Sequence, residues 1–528
     1  MITLLDYGAG NVRSVRNAIK RLGFEICDVR KPEDITAAQR LVFPGVGSFG
    51  SAIHRLNELG YIEPLLAYLR EDRPFLGICL GLQTLFESSE ESLGVPGLGI
   101  IPGTVGRFTT PGLSVPQIGW NDINCRQDSS LLTGYQQEKL YFVHSYRAMP
   151  NAKNQEWILT TTNYGDEFIS GVQKGNVAAF QFHPEKSGEA GLTLLGNFLR
   201  AGDLTSSPTK TEVLSKTRLA KRVIACLDVR SNDEGDLVVT KGDQYDVRES
   251  GKVRNLGKPV DLARRYYEEG ADEITFLNIT AFRAFPLKDQ PMIEVLRRTS
   301  EQVFVPLTIG GGIREYTASD GQHYSSLEVA AEYFRSGADK ISIGSDAVHT
   351  VEEFIKNGRK SGTSSIEQIS HVYGNQAVVI SVDPRRVYCT DPDPARNSIK
   401  TQFPGPSGEE HCWYQCTVKG GREGRDLDAL TLATTCEKLG AGEILLNCID
   451  RDGTNSGFDL ELINLIRNNV SIPVIASSGA GKPEHFSEVF AKTKADAALA
   501  AGIFHRQEVP IASVKEHLRE CGVEVRSR

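Results

Sequence analysis

The second half of the chain contains an internal repeat, and this repeat restricts the possible folds more than any other feature of the sequence. Four short apolar runs occur twice in the same order, with similar endings. The matched pairs are residues 223–229 with 378–384, 270–278 with 440–447, 305–312 with 472–479, and 338–344 with 495–502. Four βα units that occur twice predict eight parallel strands, each followed by a helix, closed into a (β/α)8 barrel.

The barrel prediction places the active site at the carboxyl ends of the strands. Asp228 and Asp383 end the first and fifth predicted strands, which lie opposite each other in a ring of eight. Two carboxylates that face each other across the mouth suit a general acid and a general base acting on one substrate. The alternative is that each aspartate only caps the loop that follows its strand.

The ends of four further strands predict two phosphate sites on opposite sides of the mouth. Backbone N–H groups at such turns, together with helix N-termini, bind phosphate. Two facing sites predict a substrate with a phosphate at each end, whereas the alternative is glycine that merely eases the turns. The residues are Gly311, Gly312, Gly344 and Ser345 on one side, and Ser478, Gly479, Ala501 and Gly502 on the other.

Two long polar insertions follow the first and fifth predicted strands, at residues 230–257 and 385–424. Segments of this length are usually lids or disordered loops, and their position over the mouth favours lids. Lys241, in the first insertion, would be available to a phosphate. The second insertion contains a predicted hairpin at residues 412–419.

The first 201 residues predict a different domain. Short β-like runs alternate with amphipathic helices, and this order predicts a mostly parallel open sheet covered on both faces. Residues 202–218 are rich in Ser, Thr, Pro and Lys and predict a linker. The expected organisation is therefore a domain at residues 1–201, a linker at 202–218 and the barrel at 219–528.

Cys79 lies at a predicted turn between a buried strand and a helix, with Gly77 and Gly81 two residues to either side. Small flanking residues allow the sharp bend of a nucleophile elbow, with cysteine in place of serine. The helix start also favours the thiolate, which is the reactive form. The alternative is a buried structural cysteine.

His183 and Glu185 follow another predicted strand, which Pro184 ends. A histidine held by a carboxylate and brought near Cys79 by the fold would form a Cys–His–Glu triad. A surface His/Glu pair without a catalytic role is the alternative.

Together these two stretches resemble the class I glutamine amidotransferases over residues 1–201. The resemblance implies glutamine hydrolysis through a thioester on Cys79, with His183 as general base and acid and Glu185 orienting it. It also implies an oxyanion hole at Gly45 and Gly47, where a flexible backbone can turn an N–H group toward the developing charge. A glutamine pocket is implied at Gln83, His144, Ser145 and Tyr146.

Nearly the whole chain resembles the imidazole glycerol phosphate synthases in which a glutaminase and a cyclase are fused, an α/β open sheet joined to a (β/α)8 barrel. The barrel motifs lie at residues 219–228, 381–383, 449–453 and 475–481, and Asp452 and Gly453 would bind substrate. The implied substrate is phosphoribulosyl-formimino aminoimidazole carboxamide ribonucleotide, a bisphosphate. The implied products are imidazole glycerol phosphate, for histidine synthesis, and aminoimidazole carboxamide ribonucleotide.

The same resemblance implies that ammonia travels inside the protein, because it would become protonated in bulk water. A charged ring would gate the base of the barrel, and Lys186 and Asp339 would pair across the interface. The ring residues are Arg222, Glu273, Lys340 and Glu443. The sequence departs from the family at Asn278 and Gly502, where Asp and Ser are frequent, so Gly502 offers only its backbone N–H group.

Composition restricts the partners. A net charge of −8 gives no reason to expect nucleic acid or a membrane surface. The ten cysteines lack zinc-type spacing, so we expect no metal and no cofactor. The amino terminus shows no signal or transit pattern and no run is long and apolar enough to span a bilayer, which favours a reducing cytoplasmic setting. The expected ligands are glutamine and a bisphosphate nucleotide, with both domains as partners within one chain.

Other functions leave signs that this sequence lacks. An ATP-using amidotransferase would need a Gly-rich nucleotide loop, and no Gly-x4-Gly-Lys-Ser/Thr pattern occurs. A barrel that makes pyridoxal phosphate would need a Schiff-base lysine at a strand end. A sensor of phosphorylated metabolites, with Cys79 as a structural residue, stays open as a non-catalytic alternative.

Overall fold

A computed structural model describes residues 1–8, 10–201, 204, 217–231, 237–240, 248–249, 252–253, 256–279, 287 and 290–527. These residues form an open-sheet domain followed by a barrel domain, in agreement with the predicted fold class. The predicted linker and the first insertion, including Lys241, fall largely outside the described residues.

The first domain is built on a sheet whose strand order is β2-β1-β3-β4-β13-β12-β10-β6-β5. The strands are β1 (Ile2–Leu4), β2 (Ile26–Asp28), β3 (Leu41–Gly45), β4 (Phe75–Cys79), β5 (Phe86–Ser89), β6 (Ile101–Arg107), β7 (Gln117–Asn121), β8 (Asn124–Cys125), β9 (Leu140–His144), β10 (Tyr146–Ala148), β11 (Ile158–Tyr164), β12 (Asp166–Lys174) and β13 (Val177–Phe180). The helices are α1 (Val12–Arg21), α2 (Pro32–Ala37), α3 (Phe49–Glu58), α4 (Ile62–Arg70), α5 (Leu80–Gln83) and α6 (Gly188–Arg200).

The half of this sheet that carries Cys79 is parallel. Strands β2, β1, β3, β4 and β13 are all parallel to one another. Strands β1, β3, β4 and β13 are buried at every position, as expected for central strands covered on both faces. The carboxyl ends of β4 and β13 therefore lie side by side, which brings the segments after Cys79 and Phe180 together.

One predicted strand, at residues 141–146, was wrong. The chain instead leaves β9 at His144 and starts β10 at Tyr146. Strand β9 pairs with β7 in a separate two-stranded sheet, whereas β10 joins the main sheet beside β6 and β12. The break at Ser145 is needed because the chain crosses from one sheet to the other.

The second domain contains a closed ring of eight parallel strands, β14-β18-β19-β22-β23-β28-β29-β30, and β30 pairs back to β14. The strands are β14 (Arg222–Ser231), β15 (Leu237–Thr240), β16 (Arg248–Glu249), β17 (Lys252–Val253), β18 (Glu273–Asn278), β19 (Leu307–Gly310), β20 (Tyr316–Thr317), β21 (His323–Tyr324), β22 (Lys340–Ile343), β23 (Val378–Val382), β24 (Pro384–Cys389), β25 (Ile399–Lys400), β26 (His411–Val418), β27 (Glu423–Asp428), β28 (Glu443–Asn447), β29 (Val474–Ser477) and β30 (Ala497–Ala500).

Helices surround this ring. They are α7 (Pro259–Glu268), α8 (Pro291–Thr299), α9 (Ser326–Arg335), α10 (Ser345–Asn357), α11 (Ser365–Tyr373), α12 (Ala429–Leu439), α13 (Leu460–Arg467), α14 (Pro483–Lys492), α15 (Gly502–His505) and α16 (Ile511–Glu520). None of the helices in the described ranges is long and apolar enough to cross a membrane. The predicted barrel is confirmed, with the repeated runs of the sequence as its eight strands.

The insertion after β23 folds into a small antiparallel sheet of strands β24 to β27, of which the predicted hairpin is one part. Thr417 Oγ1 donates a 2.6 Å hydrogen bond to the Asp383 carbonyl, and the Lys419 N–H group donates to Ser345 Oγ at 3.1 Å. The turn between β26 and β27 therefore lies against the mouth of the barrel.

The first domain covers the amino-terminal end of the barrel. Asp272 and Asp339 directly precede β18 and β22, and both contact the first domain. Trp120 Nε1 donates to the Asp272 carbonyl at 3.1 Å, and Lys186 Nζ lies 2.7 Å from Asp339 Oδ2. The predicted pairing of Lys186 with Asp339 is thus present, and the barrel mouth faces away from the first domain.

Asp272 should be one of the most costly carboxylates to remove. Its buried side chain accepts from Lys515 Nζ at 2.6 Å, from Arg526 Nε at 2.8 Å and from the Val223 N–H group at 2.8 Å. Asp272→Ala would leave two buried cations uncompensated, so we expect urea denaturation to show a loss of about 3–5 kcal/mol in the free energy of unfolding.

Asp426→Ala is the matched control, because this carboxylate is 83% exposed although it pairs with Arg396 at 3.0 Å. Its loss should cost less than about 1 kcal/mol. Similar small losses in both variants would contradict the role given to Asp272.

Candidate active sites

Cys79 lies at the turn from β4 into α5 with a backbone φ of 53° and ψ of −104°. A positive φ at a non-glycine residue is strained, and it is the geometry that lifts a nucleophile out of a strand-to-helix turn. A Cβ on Gly81 would lie 2.4 Å from the Phe43 carbonyl oxygen, so the turn needs glycine there. The predicted elbow has this conformation, and Cys79 is 8% exposed.

His183 and Glu185 stand beside Cys79. The imidazole Nδ1 lies 2.8 Å from Glu185 Oε1, and His183 lines the same cavity as Cys79. Nδ1 donates, because a carboxylate can only accept, and this leaves Nε2 for the sulfur. Burial lowers the pKa of His183, but the charges of Glu185 and Cys79 outweigh burial and raise it well above its usual value. The arrangement favours an imidazolium–thiolate pair.

The residues predicted to bind glutamine share one cavity with the predicted triad. Gly45, Gly47, Gln83, His144, Ser145 and Tyr146 line it together with Cys79, His183 and Glu185. Burial lowers the pKa of His144 to about 3, so its imidazole is neutral. Its Nδ1 donates to the Tyr146 carbonyl at 2.7 Å, and Nε2 has no partner among the described residues. His144 therefore offers the cavity a buried acceptor.

The segment after Gly45 also touches the barrel. The Ser48 N–H group donates to the Val372 carbonyl at the end of α11, at 3.4 Å. The predicted oxyanion segment is thus enclosed between the elbow on one side and a barrel helix on the other.

Sequence reasoning missed other residues at this site. Gln181 Nε2 lies 3.5 Å from Cys79 Sγ, and Gln83 Nε2 donates to Gln181 Oε1 at 3.1 Å. The available signal for Gln181 was its position as a lone polar residue between Phe180 and Phe182, two residues before His183. Asn11, Glu91 and Tyr141 also line the cavity, and no local pattern marks them.

The four predicted ring residues meet at the base of the barrel. Arg222, Glu273, Lys340 and Glu443 are each the first residue of their strand, and all four are buried. Arg222 lies 2.9 Å from Glu273 and also pairs with Glu443, while Lys340 Nζ lies 2.7 Å from Glu273 and 2.5 Å from Glu443. Burial raises the pKa of Glu443, but Arg222 and Lys340 outweigh this and hold it below its usual value.

The cavity around Cys79 extends to this ring. Lys340 lines the same cavity as Cys79, as does Asp339 beside it. Tyr141, also on the wall, is so buried that its pKa is raised well above its usual value, an effect to which the charge of Glu273 adds. One continuous cavity therefore joins the sulfur to the base of the barrel.

Two further cavities lie at the mouth of the barrel. Asp383 lines one of them, with Gly311, Gly312, Gly344 and Ser345. Asp228 lines the other, with Asp452, Gly453, Ser478, Gly479, Ala501 and Gly502. Each predicted phosphate site thus lies with one of the two aspartates, and the structure groups these residues as the repeat suggested. Lys241 lies outside the described residues.

Asp383 is held by hydrogen bonds to its neighbours. Asn447 Nδ2 donates to Asp383 Oδ1 at 2.7 Å, and Ser381 Oγ donates to it at 3.2 Å. Burial nevertheless raises the pKa of Asp383 above its usual value. Asp383 therefore holds a proton to a higher pH than an exposed aspartate would.

No group of three or more His, Cys, Asp or Glu side chains is placed to hold a metal ion in the part of the chain that the structure describes.

The triad geometry predicts how the reactivity of Cys79 depends on pH. Because the pKa of His183 is raised well above its usual value, the imidazolium persists at neutral pH, and a cation beside a sulfur favours the reactive thiolate form. Glu185→Gln removes the charge that favours the imidazolium. We expect alkylation of Cys79 by iodoacetamide at pH 7 to slow about tenfold, as measured by mass spectrometry.

Glu189→Gln, an exposed glutamate on α6, is the matched control, and the exposed Cys27 serves as an internal reference thiol. An unchanged rate at Cys79 in Glu185→Gln would contradict the ion pair.

Comparison with known proteins agrees with this division of the chain. A family model described as glutamine amidotransferase class-I matches residues 3–201. A second family model, described as histidine biosynthesis protein, matches residues 222–510. The first match ends with the sheet domain, and the second begins with the first strand of the barrel.

Three relatives named imidazole glycerol phosphate synthase hisHF are similar to this chain over almost its full length. The one from Arabidopsis thaliana, named as chloroplastic, is 64% identical over 100% of this chain and 89% of the relative. Those from Emericella nidulans and Schizosaccharomyces pombe are 54% and 53% identical, over 99% and 100% of this chain and 98% and 100% of their own lengths. The chain belongs to the imidazole glycerol phosphate synthase family of histidine biosynthesis, as the form that joins a glutamine amidotransferase domain to a cyclase barrel.

Proposed function

We propose that this enzyme hydrolyses glutamine at Cys79 and passes the ammonia through the protein to the barrel. There the ammonia converts phosphoribulosyl-formimino aminoimidazole carboxamide ribonucleotide into imidazole glycerol phosphate and aminoimidazole carboxamide ribonucleotide. The observation that carries the proposal is the single cavity lined by both Cys79 and Lys340. It joins a nucleophile to the base of a barrel whose mouth carries two candidate phosphate sites.

In the first reaction Cys79 attacks the carboxamide carbon of glutamine. Backbone N–H groups at Gly45 and Gly47 would stabilise the oxyanion, and His183 would donate its proton to the departing ammonia. His183 then takes a proton from water, which hydrolyses the thioester to glutamate. Glu185 keeps the imidazole oriented throughout, and His144 Nε2 would accept a hydrogen bond from the substrate.

Ammonia then has to pass the charged ring. The four ion-paired side chains close the base of the barrel, so at least one of them moves to open it. Lys340 is the candidate, because it lies on the cavity wall and its long side chain has more rotamers than a glutamate. The ring carries two positive and two negative charges, so its field does not oppose the passage of a neutral molecule.

At the mouth the two candidate phosphate sites hold the substrate between Asp228 and Asp383. Ammonia adds to the ketone of the substrate and water leaves. The new nitrogen attacks the formimino carbon, the C–N bond to the departing carboxamide ribonucleotide breaks, and the imidazole ring closes. The raised pKa of Asp383 suits the general acid that protonates the leaving groups, which leaves Asp228 as the general base.

The domain boundaries expected from the sequence, 1–201, 202–218 and 219–528, are part of this proposal. The matches at residues 3–201 and 222–510 support them. The cytoplasmic setting stays a prediction, since one relative is named as chloroplastic.

Cys79→Ser should separate the two activities. We expect glutamine-dependent turnover to fall by at least about 1000-fold, because the hydroxyl is a far weaker nucleophile, while turnover with ammonium salts is unchanged. Cyclisation is followed spectrophotometrically with each nitrogen source. Cys27→Ser, an exposed cysteine in the same domain, is the control and should retain both activities. Survival of glutamine-dependent turnover in Cys79→Ser would reject the assignment of Cys79 as the nucleophile.

Asp228→Asn and Asp383→Asn should each abolish cyclisation with either nitrogen source. Loss of a general acid or base costs about 100- to 10,000-fold, and ammonium salts cannot replace a missing proton transfer at the mouth. Hydrolysis of glutamine without nucleotide should remain in both variants. Asp426→Asn, an exposed barrel aspartate, is the control. If either Asp228→Asn or Asp383→Asn cyclises the substrate with ammonium salts at a rate within tenfold of wild type, the proton-transfer role proposed for that aspartate is rejected.

A further inference from the structure

The mouth cavity beside Asp228 has an electrostatic problem as a phosphate site. Asp228 and Asp452 both line it, and two carboxylates repel a phosphate dianion. The predicted phosphate site at residues 478–479 and 501–502 supplies backbone N–H groups but no positive charge. Gly502 adds no side-chain donor. A cation on this wall would offset this repulsion and attract the phosphate.

Arg506 is the only lysine or arginine among the described residues that line this cavity. The opposite mouth cavity, beside Asp383, is likewise lined by a single arginine, Arg314. Each candidate phosphate site of the described structure thus has one guanidinium on its wall, which fits a substrate with a phosphate at each end.

The contact between Arg506 and Gly502 explains why glycine is present. A Cβ on Gly502 would lie 2.8 Å from Arg506 NH1, the guanidinium nitrogen nearest to it. A residue with a side chain at position 502 would push this nitrogen aside. The absence of a side chain at Gly502 therefore makes room for the guanidinium of Arg506, four residues later.

Glu508 fixes the other edge of the guanidinium. Arg506 Nε donates to Glu508 Oε1 at 2.6 Å, and NH2 donates to Oε2 at 2.8 Å. This bidentate pair orients the planar group and leaves NH1 on the side of Gly502. The Arg506 side chain is 30% exposed, so a phosphate can reach it.

His505 supplies a second, independent observation. Its ring is buried and lines the same cavity, and Nε2 has no partner among the described residues. Tyr266 Oη lies 2.5 Å from His505 Nδ1, and either group can donate in this hydrogen bond. Burial lowers the pKa of His505 to about 3, so the ring is neutral and carries one proton. When the Tyr266 hydroxyl donates to Nδ1, this proton is on Nε2 and the cavity has a buried N–H donor for a phosphate oxygen.

We propose that Arg506 NH1 and His505 Nε2 bind the substrate phosphate on the Asp228 side of the mouth, with Gly502 making room for the guanidinium. This inference rests on the proposed function. The two side chains replace the hydroxyl donor that position 502 lacks, and the guanidinium adds a positive charge to the wall that Asp228 and Asp452 also line.

Steady-state kinetics of cyclisation with ammonium salts test the proposal. Arg506→Met keeps the aliphatic length but removes the charge, and we expect it to raise KM for the bisphosphate nucleotide at least about tenfold with kcat within about twofold. Arg506→Lys should recover part of this loss. His505→Phe keeps a ring but removes the donor, and it should raise KM by a smaller factor, about threefold or more.

Arg264→Met is the control, because Arg264 is an exposed arginine that also pairs with a glutamate, Glu268, at 2.8 Å but lies on α7. Its KM should not change. Thermal unfolding, which a general structural defect would alter, should be unchanged in Arg506→Met; if that variant is destabilised, Arg506→Gln replaces it. A KM within twofold of wild type would overturn the assignment of Arg506. Failure of the wild-type enzyme to turn over this nucleotide would instead reject the proposed function.

Discussion

The four buried charges at the base of the barrel constrain the rest of the structure. Two cations and two anions without solvent are tolerable only if every one keeps its partners, since a single unpaired charge there would cost several kcal/mol. This requirement fixes the register of four strands at their first residues. The two positive and two negative charges also cancel, so the base of the barrel presents no net charge to the sheet domain that docks on it. The interface and the cavity between the domains both depend on this balance.

The sequence allowed the architecture and most of the candidate site to be predicted, because their signals are local. The repeat marked all eight barrel strands, since each run must be apolar to be buried on both faces. Gly77 and Gly81 marked the elbow, because Cys79 adopts a conformation that leaves no room for larger neighbours. Glu185 follows His183 so closely that their contact needed no knowledge of the fold.

What could not be predicted depends on residues far apart in the chain. Gln181 reaches Cys79 only because β13 lies beside β4, and Tyr141 lines the cavity only because the two domains dock. The break at Ser145 follows from a change of sheet that periodicity does not register. Arg506 was missed for a different reason, since a surface arginine has no pattern and only the space left by Gly502 reveals where it lies.

The turn that follows β13 serves both domains. His183, Glu185 and Lys186 lie within four consecutive residues, and the Lys186 N–H group bonds to the His183 carbonyl at 3.0 Å. His183 and Glu185 line the cavity with Cys79, while Lys186 pairs with Asp339 of the barrel at 2.7 Å. A lesion at the foot of the barrel would be scored as a defect in glutamine use, although it maps to the other half of the gene.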